Sequence, residues 1–285
     1  MRCRCPILVK KKSGLIAQVP CGQCIHCRLN HARMWSIRIM HEAELWKDNI
    51  FLTLTYDDEH LPANGTLVKK HLTDFFKRFR QAIKKPVRYF ACGEYGSKYH
   101  RPHYHIILHN VSKDDIVFTD LSYDKKTHGW YCNCLAWSMG LCHIGSVTVD
   151  SANYVAGYVV KKQKGKNAKD YYAKLGVIPE FCVMSRKPGL GFGYLQEHMS
   201  SLSKKMYVFC KGYKYALPRF YADRMNNASE RRDYAMEQEE KRFSELKKKA
   251  ERNGRSVYQL AEEEDIQAEA NTRARLKQKE RNYEN

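Results

Sequence analysis

Two histidines separated by a single residue, His103-Tyr104-His105, stand inside an otherwise apolar run from Pro102 to Asn110. In a β-strand, alternation would put His103, His105, Ile107 and His109 on one side and Tyr104, Ile106 and Leu108 on the other. Two imidazoles that project together can ligate one divalent cation when a hard oxygen donor completes the set. Glu94, where the loop from the preceding strand begins, is the nearest such donor. A merely polar strand face has the same spacing. His100 and His109 flank the pair as solvent or backbone partners, or as a substitute third ligand.

A second pair is Tyr154 and Tyr158. On a helix this i, i+4 spacing puts both phenols on one face, with Lys161 and Lys162 one turn further on. Core packing uses that spacing too; chemistry would use it to offer two nucleophiles to one site. A phenol needs help to react. A nearby lysine lowers its proton affinity, and a metal activates the phosphate it attacks. A histidine metal site together with a lysine-flanked tyrosine pair suits phosphoryl transfer to tyrosine.

The eleven cysteines are clustered, unlike a disulfide framework. Cys21-x-x-Cys24-x-x-Cys27 and Cys3-x-Cys5 offer five thiolates, of which four would close a tetrahedral Zn²⁺ site. Reduced, partly buried thiols are the alternative, and His26 is a possible replacement for one thiolate. Cys132, Cys134 and Cys142, with His143 or His128, form a less specific set. Spacing alone does not separate zinc from iron–sulfur ligation, although nothing in the chain calls for electron transfer.

These residues need elements to hold them. Arg28 to Trp46 reads as an amphipathic helix, residues 50 to 55 as a strand, and Lys69 to Lys84 as a helix with Leu72, Phe75, Phe76 and Phe79 at helical spacing. Val87 to Cys92 and Pro102 to Asn110 read as strands joined by a loop from Gly93 to Arg101, and Ile144 to Val149 as a fourth strand. Asp150 and Ser151 are suitable caps for a helix from about Ala152 to Lys162. Lys161 to Lys174 and Cys182 to Gly193 read as basic loops. The order suits an α+β fold, an antiparallel sheet with helices on one face. Three regions are expected: a Cys-rich N-terminal module and helix over 1–48, a core with basic loops over 49–222, and a charged helical or disordered tail over 223–285.

Charge indicates what the core meets. The chain carries a net +19, and the whole excess, 35 Lys and Arg against 16 Asp and Glu, falls within residues 1–222. Such a surface attracts phosphate backbones, although an acidic protein partner is another way to use it. Neither a basic start with a long apolar stretch nor an apolar run of membrane-spanning length occurs, so no membrane association is expected.

Phe51-Leu-Thr-Leu-Thr-Tyr56, then Gly93-Glu-Tyr-Gly96 with Arg101-Pro-His-Tyr-His105, then Tyr154-Val-Ala-Gly-Tyr-Val-Val-Lys-Lys162 resemble three successive motifs of HUH endonucleases. Val19-Pro-Cys-Gly-Gln-Cys-Ile-His-Cys-Arg28 and Trp35-Ser-Ile-Arg-Ile-Met-His-Glu42 are similar to the N-terminal segment of the replication initiators of small single-stranded DNA phages, the microviruses and especially the gokushovirus group. The likeness covers roughly residues 19 to 162. It implies a sheet of the ferredoxin or RNA-recognition type, Mg²⁺ or Mn²⁺ at His103, His105 and Glu94, and Tyr154 and Tyr158 as nucleophiles. Gly157 departs from the pattern, since related phage proteins often carry a basic residue there, so an auxiliary catalytic role falls to Lys161.

The implied activity is site-specific nicking and rejoining of single-stranded or supercoiled origin DNA through a 5′-phosphotyrosine, in the cytoplasm of a bacterial host. Arg101, Lys161, Lys162, Lys164 and Lys166 would contact DNA. The freed 3′-hydroxyl would prime host polymerase. With no phosphate-binding Gly-x-x-x-x-Gly-Lys-Ser/Thr, no nucleotide cofactor is expected and unwinding would fall to a host helicase. A plasmid-type relaxase and a zinc-dependent regulator that binds nucleic acid without cutting are the rival readings.

Overall fold

Seven antiparallel strands form the sheet that carries the histidines. The computed structural model describes residues 3–10, 14–96, 98–161 and 168–284, with side chains up to 157 in the helix ending at 161 and up to 276 in the C-terminal helix. In chain order the elements are β1 (Ile7–Lys10), β2 (Ile16–Val19), α1 (Ile25–Ala43), β3 (Asn49–Thr55), α2 (Lys69–Ile83), β4 (Arg88–Tyr95), β5 (Pro102–His109), β6 (Phe118–Asp124), β7 (Gly129–Cys134), β8 (Trp137–Ser146), α3 (Val149–Lys161), α4 (Ala168–Leu175), β9 (Phe181–Met184), α5 (Phe192–Lys205), β10 (Tyr207–Cys210), β11 (Tyr213–Ala216), α6 (Arg219–Ala222), α7 (Ala228–Arg252) and α8 (Val257–Glu284).

The chain divides into two compact units. One, His31–His198 with Phe209–Tyr213, holds the large sheet in the order β6-β7-β8-β3-β5-β4-β9. Its middle four strands follow the split βαβ arrangement. α2 carries the chain from β3 to the parallel strand β4, and β5 pairs between them. Where a second crossover helix would come before β8, the chain makes the β6–β7 hairpin and widens the sheet.

Helices meet both faces of this sheet, where one face was expected. On one side Leu52, Leu54, Tyr104, Ile106 and Leu108 pack with Phe75, Phe76 and Phe79 of α2. On the other, Phe51, Phe90 and Ile107 pack with Trp35 and Ile39 of α1 and Ala152 and Val155 of α3. The reason is legible in β5, where seven of eight residues are buried. A strand apolar on both faces needs a cover on each, and each fully buried aliphatic or aromatic side chain contributes about 1.5–3 kcal/mol.

Three segments differ from their sequence reading. β9 occupies part of the expected loop from Cys182 to Gly193, because the edge of β4 supplies hydrogen-bonding partners along Phe90 to Gly93. α4 replaces the end of the expected basic loop, with Tyr172 buried and its hydroxyl donating to Glu180. α3 is capped one step earlier than expected: Thr148 and Ser151 exchange side-chain to backbone hydrogen bonds of 2.8 and 3.1 Å.

The other unit is Met1–Asn30, Met199–Val208 and Lys214–Asn285. It contains the β1–β2 hairpin, in register from Ile7↔Val19 to Lys10↔Ile16. The charged C-terminal region is a pair of helices, α7 and α8, that share a small apolar contact of Leu246, Ala250 and Leu260 and a Lys249–Glu264 ion pair of 2.9 Å. Among the described residues no helix is long and apolar enough to cross a membrane.

Candidate metal centres

Register settles which side chains meet on the sheet. β4 and β5 pair Glu94 with His103 and Cys92 with His105, so Glu94 lies inside a strand and not at the start of a loop. Gly93 had suggested a strand end; it is a packing position. A Cβ there would stand 3.0 Å from both the Leu67 side chain and the Phe181 ring. Glu94, His103 and His105 therefore share the face covered further along by α1 and α3.

Their donor atoms converge. Glu94 Oε1 lies 2.6 Å from His103 Nε2 and 3.0 Å from His105 Nε2, and the two Nε2 atoms are 3.1 Å apart. His103 Nδ1 faces the Arg101 carbonyl at 3.1 Å, which only accepts, so in the neutral ring Nδ1 holds the proton and Nε2 the lone pair. His105 Nδ1 meets the Thr53 hydroxyl at 2.9 Å, which turns its Nε2 toward the same point. A carboxylate oxygen and two imidazole nitrogens this close need a proton or a cation among them.

The group is well enclosed. Glu94 is 3% and His105 6% exposed, and Glu94 Oε2 is buried without a hydrogen-bond partner among the described residues. Burial pushes the Glu94 carboxyl up, but hydrogen bonds from His103 and His105 and their charge outweigh it and hold it below its ordinary value. An unsatisfied buried oxygen beside two oriented imidazoles fits a hard or borderline divalent cation, and three protein donors leave positions for a substrate oxygen.

Tyr154 stands at this group. Its ring meets the His105 ring edge-on with centroids 5.1 Å apart and the Phe51 ring at 6.4 Å, while Phe51 stacks on His105 at 5.3 Å. Tyr158 follows one turn later on α3. The side chains of Tyr158 and Lys161, and the whole of Lys162, Lys164 and Lys166, lie outside the described residues. Arg101 is held by Asp58 at 2.7 Å and the Tyr56 carbonyl at 2.9 Å, and with Thr55, Lys98, Tyr99 and His103 it lines a cavity of about 260 Å³.

His100 and His109 are not part of the group. His109 is fully buried against Asn49 at 2.7 Å, and burial lowers it to about 4. Thr53 and Phe51 were missed by the sequence reading. The signal was available in the alternation of Ile50 to Thr55, which puts Phe51, Thr53 and Thr55 on one side of a buried strand.

A second convergence lies in the other unit. The sulfurs of Cys3, Cys21, Cys24 and Cys27 all fall within 4.8 Å of one another. A tetrahedral site with bonds of about 2.3 Å needs sulfurs about 3.8 Å apart; Cys3 and Cys24 are at 3.9 Å. Backbone N–H groups of Cys24 and Gln23 donate to Cys21 Sγ at 3.3 and 3.4 Å and lower that thiol to about 6. Burial pushes Cys27 up to about 12. Gly22 takes a left-handed φ of 72° in this knuckle, which favours glycine.

Cys5 is exposed and outside the four, and His26 is buried but not among them. Cys132, Cys134 and Cys142 do not form the additional centre considered from the sequence. They are buried in the α2-side core, whereas His143, next to Cys142 on a strand, points to the opposite face and bonds Thr127 at 2.8 Å. His128 bonds the Tyr123 hydroxyl at 3.1 Å.

Comparison with known proteins matches the sheet region. The family model of replication-associated protein ORF2 matches residues 49–163, from β3 past the end of α3, a span that contains Glu94, His103, His105 and Tyr154. The chain is 37% identical over 216 residues to replication-associated protein VP4 of Bdellovibrio phage phiMH2K, covering 72% of this chain and 66% of that protein. It is 35% identical over 241 residues to replication-associated protein ORF2 of Spiroplasma virus 4, covering 78% and 73% respectively. Similarity to replication-associated protein ORF4 of Chlamydia phage 1 is lower, 25% over 226 residues, 72% of this chain and 53% of that one. No solved structure matches. By its motif span and by the extent of its likeness to these viral proteins, the chain belongs to the ORF2 family of replication-associated proteins.

Proposed function

We propose that the chain nicks and rejoins single-stranded origin DNA to initiate rolling-circle replication of a phage genome in its bacterial host, through a tyrosine that becomes covalently linked to a 5′-phosphate. The observation that carries this reading is the Tyr154 ring 5.1 Å from the ring of His105, whose Nε2 meets Glu94 and His103. Glu94, His103 and His105 would hold Mg²⁺ or Mn²⁺, which when bound withdraws charge from the scissile phosphate.

The chain's own residues do the rest. Thr53 and the Arg101 carbonyl keep the two imidazoles turned inward, and Phe51 stacked on His105 keeps water from that flank. The phenolic oxygen of Tyr154 or Tyr158 forms a bond to phosphorus as the bond to the 3′-oxygen breaks. The phenolic proton leaves and the 3′-oxygen gains one, so the products are a phosphotyrosine and a free 3′-hydroxyl, with no water or nucleotide consumed. Lys161 would favour the phenolate, and Arg101, Lys162, Lys164 and Lys166 would bind backbone phosphates. The released 3′-hydroxyl would serve host polymerase, and strand separation would fall to a host helicase.

The four thiols of Cys3, Cys21, Cys24 and Cys27 would hold Zn²⁺ as a structural staple, since a closed set of four sulfurs leaves no position for a substrate.

The test is a denaturing gel of end-labelled single-stranded viral DNA incubated with the chain and Mn²⁺. A slow, protease-sensitive adduct is expected, absent when Tyr154 and Tyr158 are both phenylalanine. Full adduct formation by that double variant, or retardation only under native conditions, contradicts the reading.

A further inference from the structure

Residues paired directly across strands share one face of a sheet. One such row runs through Cys92, His105, Thr53, His143, Tyr131 and Ser122, on β4, β5, β3, β8, β7 and β6. It therefore joins a residue of the acid–histidine group to the β6–β7 extension.

The row changes character along its length. Near β4 it lies among the residues that pack with α1 and α3, including Phe51, Phe90 and Ile107. Past Thr53 the residues turn to solvent: Tyr131 is 44% exposed, and Leu141, two residues from His143 on the same face, is 61% exposed. Asn133, next on that face of β7, is also exposed.

This open stretch is built, not merely bare. His143 Nε2 meets the Thr127 hydroxyl at 2.8 Å, and Thr127 donates in turn to Asp124 at 2.6 Å. The Tyr131 ring stands edge-on to the His143 ring at 5.0 Å. Gly129 makes the room for that imidazole, because a Cβ there would come within 2.5 Å of its ring.

We propose that this surface, centred on Tyr131 and His143 with Leu141 and Asn133 beside them, is a stacking platform for unpaired bases of the strand that is cut. The inference rests on the reading above only in taking single-stranded DNA as substrate. Three strand spacings, about 14 Å, separate Tyr131 from His105 along the row, so a strand lying on the platform runs directly to the acid–histidine group. An exposed tyrosine ring stacks any base, and a histidine and an asparagine add hydrogen bonds to base edges, a combination that suits single strands. Phosphates facing outward meet a region whose Lys and Arg outnumber its Asp and Glu by 35 to 16 over residues 1–222.

Fluorescence anisotropy of the full chain without divalent cation, using labelled mixed-sequence single-stranded DNA and its duplex, tests the platform. Tyr131→Ala should weaken single-strand binding roughly tenfold and duplex binding much less, and Tyr131→Phe should keep the parent affinity. Ultraviolet crosslinking of a bromodeoxyuridine-substituted strand to the unaltered chain should label the peptide containing Tyr131, a measurement independent of whether the alanine variant folds. Unchanged single-strand affinity of folded Tyr131→Ala, crosslinks confined to other peptides, or an effect of Tyr131→Ala and Leu141→Ala on self-association alone would overturn the platform, the last marking a protein interface. Because no metal is present, binding without nicking would refute the phosphotyrosine reading and leave the platform standing.

Discussion

The acid–histidine group and the cysteine group each bring several electron-pair donors to one point, yet they differ in how they are made. The four thiols lie within residues 3–27, three of them at intervals of three across the start of α1, with Cys3 brought back by a short hairpin. The acid–histidine group takes Glu94 from β4 and His103 and His105 from β5, its orienting Thr53 from β3 and its neighbour Tyr154 from α3. Soft sulfurs closing a tetrahedron suit a stapling ion, whereas one carboxylate and two imidazoles leave room for a reacting phosphate. The chemistry of the donors, more than their convergence, separates a centre that holds a chain together from one that acts on a substrate.

If that contrast is right, damage to the two groups should have opposite signatures. The largest effect is expected from His103→Ala or His105→Ala. Loss of several kcal/mol of charge stabilisation at the phosphate should lower Mn²⁺-dependent adduct formation by on the order of a thousandfold, with melting temperature little changed. Rates comparable to the parent in single-turnover assays would place the metal elsewhere.

Cys24→Ser should act the other way. Native mass spectrometry should show one Zn²⁺ lost, and limited proteolysis should cut the β1–β2 segment faster, whereas Cys5→Ser should retain both the metal and the protection. Equal zinc loss from the two variants would dissolve the assignment of four ligands from five candidates.

Thr53→Ala sharpens the comparison at smaller scale. It removes the hydrogen-bond partner of His105 Nδ1 and leaves every donor in place, so metal affinity or activity should fall about 10- to 100-fold. Titration with Mn²⁺ followed by adduct yield reads the difference, and Thr53→Ser should recover most of it.

Much of this was legible in the residues, for reasons that vary by element. β5 and α2 announce themselves through apolar spacing, and the knuckle through cysteines so close in sequence that little but a local turn is needed to gather them. The place of Glu94 was harder. A glycine before it suggested a turn, and only pairing through Tyr95↔Pro102 shows the strand continuing past it. β6 and β7 were not anticipated, since Thr119 to Tyr123 is mostly exposed and the hairpin is held by pairing to β8, a long-range contact with a weak apolar pattern. The second helix layer escaped notice for a related reason. A strand buried on both sides reads as an apolar run, and which elements cover each side is decided in three dimensions.

The central claim is that a phenol on α3 becomes linked to DNA beside the acid–histidine group. Peptide mass spectrometry of the covalent adduct formed on single-stranded viral DNA with Mn²⁺ tests it most directly. The account predicts a nucleotide mass on the α3 peptide, at Tyr154 or Tyr158, and none when Glu94 is alanine. A nucleotide on any other residue, or an undiminished adduct in Glu94→Ala, contradicts it.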